Sequence, residues 1–298
     1  MTYNMHEIIE RANILVEALP YISAFSSKTI VIKYGGNAMN DESTVRTVMQ
    51  DVAALKIVGV NPILVHGGGP EINSMLSRMH IEPRFCSGLR VTDEKTMEIV
   101  QMVLAGKVNK NAVSLLNTLG VKAVGLCGKD ADLIRVKKYT PENGDDLGYV
   151  GEITEINSKL LSTLCADYIP VISSIGTDGN GNSYNVNADT AAGAIGGAMN
   201  AEKLIYLTDT DGIRRKENDP STLISKISVA EMEKMIASGE ISGGMIPKAK
   251  SCIRAIECGV KSVQIVNGTI PHSILLELFT DSGIGTMVTA KKTRTKAK

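Results

Sequence analysis

Tryptophan is absent from this 298-residue chain, phenylalanine occurs three times, and aromatic residues make up only 4%. Such a chain is poorly supplied for stacking nucleobases or sugar rings. An excess of either charge is also lacking. The 32 Lys+Arg balance 32 Asp+Glu, which removes any whole-molecule pull toward nucleic acid or an acidic membrane surface. Apolar runs such as Ile30–Ile32 and Leu204–Leu207 fall far short of the ~20 residues a bilayer span needs. The opening MTYNMHEIIE carries acids where a secretory leader carries bases, and no apolar segment follows. The cysteines Cys86, Cys127, Cys165, Cys252 and Cys258 form no CxxC pair, and His6, His66, His80 and His272 share no ligand spacing. The expectation is a cytoplasmic protein with reduced thiols and no dedicated metal site. Also missing are GxxxxGK[ST], HRD and DFG, GxSxG, and a GxGxxG after the first strand. Their absence argues against a P-loop, a protein kinase, a hydrolase elbow and a dinucleotide fold.

What is present is ordinary globular composition, 43% hydrophobic and 21% charged, in a length that suits one large domain or two modest ones. Short, apolar, β-branched runs at Thr29–Tyr34, Pro62–His66, Lys122–Leu126, Tyr168–Ser173, Leu204–Leu207 and Ser262–Val266 read as strands buried on both faces. Amphipathic stretches at 41–58, 70–80, 93–119, 157–166, 188–200, 228–238, 246–258 and 272–279 read as helices. This alternation predicts an α/β fold, an open, mainly parallel twisted sheet between helices. Residues 81–92 interrupt it as a hairpin, and residues 133–156 as short strands with the polar loop PENGDDLG. Ahead of the first strand, Ile8, Ile9, Ala12, Leu15, Val16 and Leu19 form one face of an appended helix over residues 5–19, which Pro20 is expected to stop. That face packs either on its own subunit or on a partner chain. The chain divides by function into an N-terminal extension (1–27), an N-terminal lobe (28–173) and a C-terminal lobe (174–298). The final KKTRTKAK reads as a solvated tail.

Six clusters offer chemistry. In IKYGGN, Lys33 ends a strand and is followed by Gly35 and Gly36, where open α/β sheets bind ligands. In VHGGGP, three glycines expose amides at a helix start, a ready anion site, and His66 reads as a structural histidine. In SGLRVT, Arg90 offers a planar fork suited to a carboxylate, although in isolation a surface ion pair is the better reading. In YNVNAD, Asn185, Asn187 and Asp189 exceed what helix capping requires. In LTDTDGI, Asp209, Asp211, Gly212 and Ile213 suit a nucleotide or a plain turn. In GGMIPK, Lys248 stands in a first helical turn, where it opposes the helix dipole unless an anion sits there. Two lysines, glycine amides and an aspartate between them are what phosphoryl transfer uses, since it needs positioning and charge neutralisation more than covalent help.

In this order the blocks IKYGGNAM, LVHGGGPEI, GLRVTD, NVNADTAA, LTDTDGI and SGGMIPK resemble the amino acid kinase family over nearly the whole chain. The resemblance implies transfer from ATP, with Mg²⁺, to the γ-carboxylate of N-acetyl-L-glutamate in arginine biosynthesis. It implies that Lys33 and Lys248 contact the transferring phosphoryl group and that Asp189 holds both lysines. Gly68 and Gly69 would serve the acceptor carboxylate, Gly35 and Gly36 the phosphates. Arg90 would clamp the α-carboxylate and Asn185 would bind the acceptor. Asp209, Asp211, Gly212 and Ile213, with Lys33 and Lys248, would line the nucleotide site. The helix 5–19 and the segment Leu275–Val288 are similar to features of arginine-inhibited members. They imply arginine binding near Tyr21, Glu277, Gly283 and Gly285, and a hexamer built as a trimer of dimers. A PII-type signalling protein is a further partner the resemblance allows. Alternatives are an aspartate, glutamate, carbamate or uridylate kinase of the same fold, or a catalytically inactive arginine- or nucleotide-binding sensor. The acceptor carboxylate is already ionised at pH 7, so no general base is required.

Overall fold

The computed structural model describes residues 4–36, 41–141, 144–216, 219–281 and 283–290. The expected basic tail at 291–298, the end of the first glycine block at 37–40 and part of the polar loop at 142–143 lie outside them. The strands are β1 (Thr29–Tyr34), β2 (Asn61–His66), β3 (Phe85–Cys86), β4 (Leu89–Arg90), β5 (Ala123–Leu126), β6 (Ile134–Lys138), β7 (Gly151–Ile156), β8 (Ile169–Ser173), β9 (Ile175–Thr177), β10 (Ser183–Asn185), β11 (Lys203–Thr208), β12 (Lys226–Ser228), β13 (Ser262–Asn267) and β14 (Thr286–Thr289). The α-helices are α1 (Met5–Phe25), α2 (Glu42–Ile57), α3 (Gly69–Arg78), α4 (Glu94–Gln101), α5 (Asn109–Thr118), α6 (Ser158–Cys165), α7 (Ala188–Ala198), α8 (Val229–Ser238), α9 (Met245–Glu257) and α10 (Ser273–Leu278).

Eight strands form one sheet in the order β12-β14-β13-β11-β1-β2-β8-β5. All neighbours are parallel except β13 and β14. Alternation along the strands divides the core. Val31, Ile63, Val65, Leu204, Val263 and Ile265 face α7 and α9, whereas Ile30, Ile32, Leu64, Ile205 and Leu207 face α2, α5 and α10. The run of small residues in α7 explains how closely it meets α9. A Cβ on Gly197 would stand 2.4 Å from the Cys258 carbonyl oxygen. A four-stranded sheet, β10-β9-β6-β7, and the β3–β4 hairpin sit at the edge of this layer. β9 pairs with β6 of the preceding segment and β10 pairs with β9, so this small sheet runs across residue 173.

Three local expectations change. The helix from 93 to 119 is interrupted by a π-helical segment, Met102–Val108. The edge strands β12 and β14 are additional, because each is short and mixed in polarity. The first helix also runs through Pro20 to Phe25. Proline removes one backbone bond there. The following turn is held by half-buried Tyr21, Ile22 and Phe25, the last packed 6.5 Å from Phe279. N-terminal to Pro20, the apolar stripe lies in the open, with Ile8 43%, Leu15 69% and Leu19 56% exposed. The structure shows no packing of that stripe on the described residues of its own subunit. Among the described residues, no helix is long and apolar enough to cross a membrane.

His66 ties this scaffold together. Its Nδ1 lies 2.8 Å from the Gly67 carbonyl, and Asn109 Nδ2 lies 3.0 Å from its Nε2 and 2.9 Å from the Val171 carbonyl. The Asn109 amide donates to both, which makes Nε2 an acceptor and the ring neutral. Complete burial pushes the imidazole down from 6.5 to about 4. Below pH ~6.5 the unfolded chain therefore takes a proton that the folded chain refuses. Stability attributable to His66 should fall as pH drops from ~6.5 to ~4, by about 3 kcal/mol. Urea unfolding at several pH values should show a shallower acid loss in His66→Gln than in the parent. An unchanged acid loss would contradict this account of His66.

Candidate active site

Parallel pairing places the carboxyl ends of β1, β2 and β11 side by side. Tyr34 is level with His66, and Lys33 with both Val65 and Tyr206. The two glycine turns and the Thr208–Asp209 end of β11 therefore share one edge. Lys33 Nζ pairs with Asp189 Oδ1 at 2.8 Å. Asp189 is held at the start of α7, where the Asn187 side chain accepts from the Asp189 amide at 2.9 Å and the Thr190 amide at 3.0 Å. Tyr206 adds a hydroxyl donor to the Asp189 carbonyl at 3.0 Å. Lys248, in the first turn of α9, donates to Thr208 Oγ1 and lies 3.5 Å from Asp209 Oδ1. Asp189 thus pairs with Lys33, while Lys248 takes its partners from the end of β11, a different arrangement from one aspartate holding both lysines. The α9 start has no side-chain cap and no acid in its first turn; its Met245 and Ile246 amides donate to the Ser242 and Gly243 carbonyls at 3.2 Å, and Pro247 has no N–H, so Lys248 is the donor this end presents.

Three cavities meet end to end here. A central one of about 240 Å³ is lined by Lys33, Gly35, Gly36, Asp189, Thr208, Asp209 and Lys248. On one side it shares Lys33, Gly35 and Gly36 with a cavity of about 230 Å³ bounded by Gly67–Gly69, Arg90 and Asn185. On the other it shares Asp209 and Lys248 with a cavity of about 680 Å³ bounded by Thr210, Asp211, Gly212, Ile213 and Asn267. The last is large enough for a nucleoside, and the one bounded by Arg90 and Asn185 for a small acid.

Arg90 and Lys33 are the charged groups lining the small cavity, and Arg90 stands at the end away from the lysines. Only 8% of it is exposed, and burial lowers its pKa. Its Nη2 donates to Asn73 Oδ1 at 2.7 Å and its guanidinium stacks over Phe85 at 4.7 Å, across the β3–β4 hairpin. Nη1 is buried without a protein partner. A buried guanidinium met by a neutral amide and a ring retains its charge for an incoming carboxylate. Asn185 donates to Thr92 Oγ1 at 3.2 Å, which itself donates to the Arg90 carbonyl at 2.8 Å, so both groups are fixed relative to one another. In the large cavity Asp211 accepts from Asn267 at 2.8 Å and Arg214 at 2.6 Å, bonds that hold its carboxyl below the usual range.

Away from these cavities, the residues expected for arginine also converge. Glu277 accepts from the Ile284 amide at 2.8 Å and the Gly285 amide at 3.0 Å. Gly283 has φ +57°, and a Cβ there would lie 2.7 Å from Glu277 Oε2. Tyr21 donates to Asp281 nearby. Sequence reading overlooked Asn73, one turn into α3, and treated Thr208 as part of a motif only. Both act through contacts distant in sequence, so only the common position of strand and helix ends signals them.

A model of the amino acid kinase family matches residues 28–267. The chain is 54% identical to the acetylglutamate kinase of Caldicellulosiruptor saccharolyticus, over 97% of its own length and 99% of the relative's. It is also 54% identical to that of Methanocaldococcus jannaschii, again over 97% and 99%. Among solved structures it resembles N-acetylglutamate synthase from Neisseria gonorrhoeae. The complex of that protein with coenzyme A and N-acetyl-glutamate superimposes with a TM-score of 0.83 at 28% identity, covering 95% of this chain. The chain spans 64% of that longer protein. The complex with coenzyme A and L-arginine gives a TM-score of 0.78 at 26% identity, over 94% and 65%.

The glycines at this site differ in what they do. Among the described residues, a Cβ on Gly68 would meet Leu104 at 2.7 Å, whereas one on Gly69 meets nothing within 4 Å, and Gly69 has no positive φ. Gly69→Ala should therefore keep the parental melting temperature yet weaken ligand binding at the α3 start by ~10-fold or more, the scale of one lost charged contact. Calorimetric melting with steady-state kinetics checks both. An alanine variant with unaltered KM for both substrates would remove Gly69 from the site.

Proposed function

The chain belongs to the amino acid kinase family, and from that premise we propose that it transfers the γ-phosphoryl group of ATP to the γ-carboxylate of N-acetyl-L-glutamate, a step of arginine biosynthesis. The observation that carries this reading is the junction of three cavities at Lys33 and Lys248. The acceptor occupies the small cavity, its α-carboxylate on Arg90 Nη1 and its amide region at Asn185. ATP occupies the large one, with its phosphates reaching toward Gly35 and Gly36. The acceptor carboxylate is ionised at neutral pH and attacks directly. The obstacle is bringing one anion to another, and the lysines with the glycine amides at the α3 start lower it by neutralising charge that builds in transfer. Asp189 orients Lys33. Bound Mg²⁺ would neutralise phosphate charge. The carboxylates at the phosphate cavity, Asp189 and Asp209, face lysines, so phosphate oxygens and water supply its ligands.

Regulation by arginine belongs to the same proposal. Its support is the convergence of Tyr21, Glu277, Gly283 and Gly285, together with the exposed stripe of α1. Glu277 offers a carboxylate to a cationic ligand. The stripe joins the α1 of a second copy across a two-fold axis, linking dimers into a ring of six.

An ADP-release assay over a panel of acceptors, with and without arginine, tests this reading. N-acetyl-L-glutamate should be preferred over aspartate, glutamate, carbamate and uridylate, and arginine should inhibit. Removing residues 1–22 should leave an active enzyme of dimer size by light scattering, insensitive to arginine. Preference for another acceptor sinks the substrate assignment, and full assembly size after truncation sinks the interlocking helix.

A further inference from the structure

Lys33 and Lys248 are anchored by different chemistry. Lys33 is held by a carboxylate at 2.8 Å, which offsets much of its charge. Lys248 meets its nearest carboxylate only at 3.5 Å, and its close partner is the Thr208 hydroxyl. Thr208 ends β11, a central strand with β1 on one side and β13 on the other, and is 7% exposed. Its hydroxyl lies 3.1 Å from Asp209 Oδ1, to which it donates. The one hydroxyl hydrogen is thus committed to the carboxylate, and the oxygen lone pairs remain for the Lys248 ammonium. A lysine is a point charge on a flexible four-carbon stem and needs such an anchor to stand in one place. The closest anchor of the ammonium is thus a neutral oxygen, with the Asp209 carboxylate farther off at 3.5 Å.

We propose that Thr208 is a positioning residue for the phosphoryl transfer, holding the Lys248 ammonium at the wall shared by the phosphate and nucleotide cavities. The inference rests on the reading above that Lys248 contacts the transferring group. It predicts an effect on turnover, not on binding of the acceptor, since Arg90 and Asn185 lie in the other cavity.

Four variants test it: Thr208→Val, Thr208→Ser, Lys248→Met and the Thr208→Val/Lys248→Met pair, each checked for parental melting temperature. Thr208→Val should lower kcat by ~10-fold, the scale of one hydrogen bond, with acceptor KM changed less than ~2-fold. Thr208→Ser, which retains the hydroxyl, should stay near parental kcat. Lys248→Met should lower kcat by at least ~10²-fold, and the double variant should fall no further. Multiplied losses in the double variant, or parental kcat in Thr208→Val, overturn the role of Thr208 while leaving that of Lys248 intact. Parental kcat in Lys248→Met overturns the role of Lys248 itself, and with it this one.

Discussion

Everything at the candidate site depends on parallel pairing of β1 with β2 and β11 in one register. Parallel strands finish on the same edge, so the residues that follow them are neighbours although ~30 to ~170 positions separate them along the chain. Lys33 and the Gly35–Gly36 turn follow from β1, the Gly67–Gly69 turn from β2, and Thr208 with Asp209 from β11. A shift of one residue in either pairing would turn Lys33 to the opposite face, away from Asp189 and into the α2 side of the core. The near-continuous apolar strands, buried on both faces, are what secure that register.

On this scaffold the protein solves an electrostatic problem with fixed positive ends. Arg90 is buried against a ring and an amide, Lys248 against a hydroxyl, and helices α3 and α9 start without side-chain caps. Among these, buried Arg90, whose Nη1 meets no partner among the described residues, leaves positive potential unspent in the folded protein. Such groups cost stability when no ligand is present, and the surrounding core of buried Val, Ile and Leu offsets that cost. His66, at the same edge, stays neutral and structural, which keeps an additional titrating charge out of the site.

The central strands and most helices were legible in the sequence because burial on both faces leaves an apolar run and burial on one face leaves a period. The site residues were legible because glycine pairs, a lysine at a strand end and a lysine in a first helical turn are each unfavourable without a ligand. Less was legible where long-range packing decides. Pro20 fails to end α1 because Phe25 finds Phe279, over 250 residues away. The strands β12 and β14 exist because each finds the other, and β14 finds β13. Asn73 becomes the partner of Arg90 only once α3 lies beside the β3–β4 hairpin. The choice of Thr208 and Asp209 by Lys248 is likewise set by where α9 begins relative to β11.

The central claim is that charge neutralisation drives the transfer and that no side chain removes a proton from the acceptor. The pH dependence of kcat, at saturating substrates and with magnesium in excess, tests it most directly. The acceptor carboxylate ionises near ~4, so the account predicts a profile that stays level from about pH 8 down to about pH 6. A tenfold fall per pH unit below an ionisation between about 6 and 8 would reveal an essential base and contradict the claim.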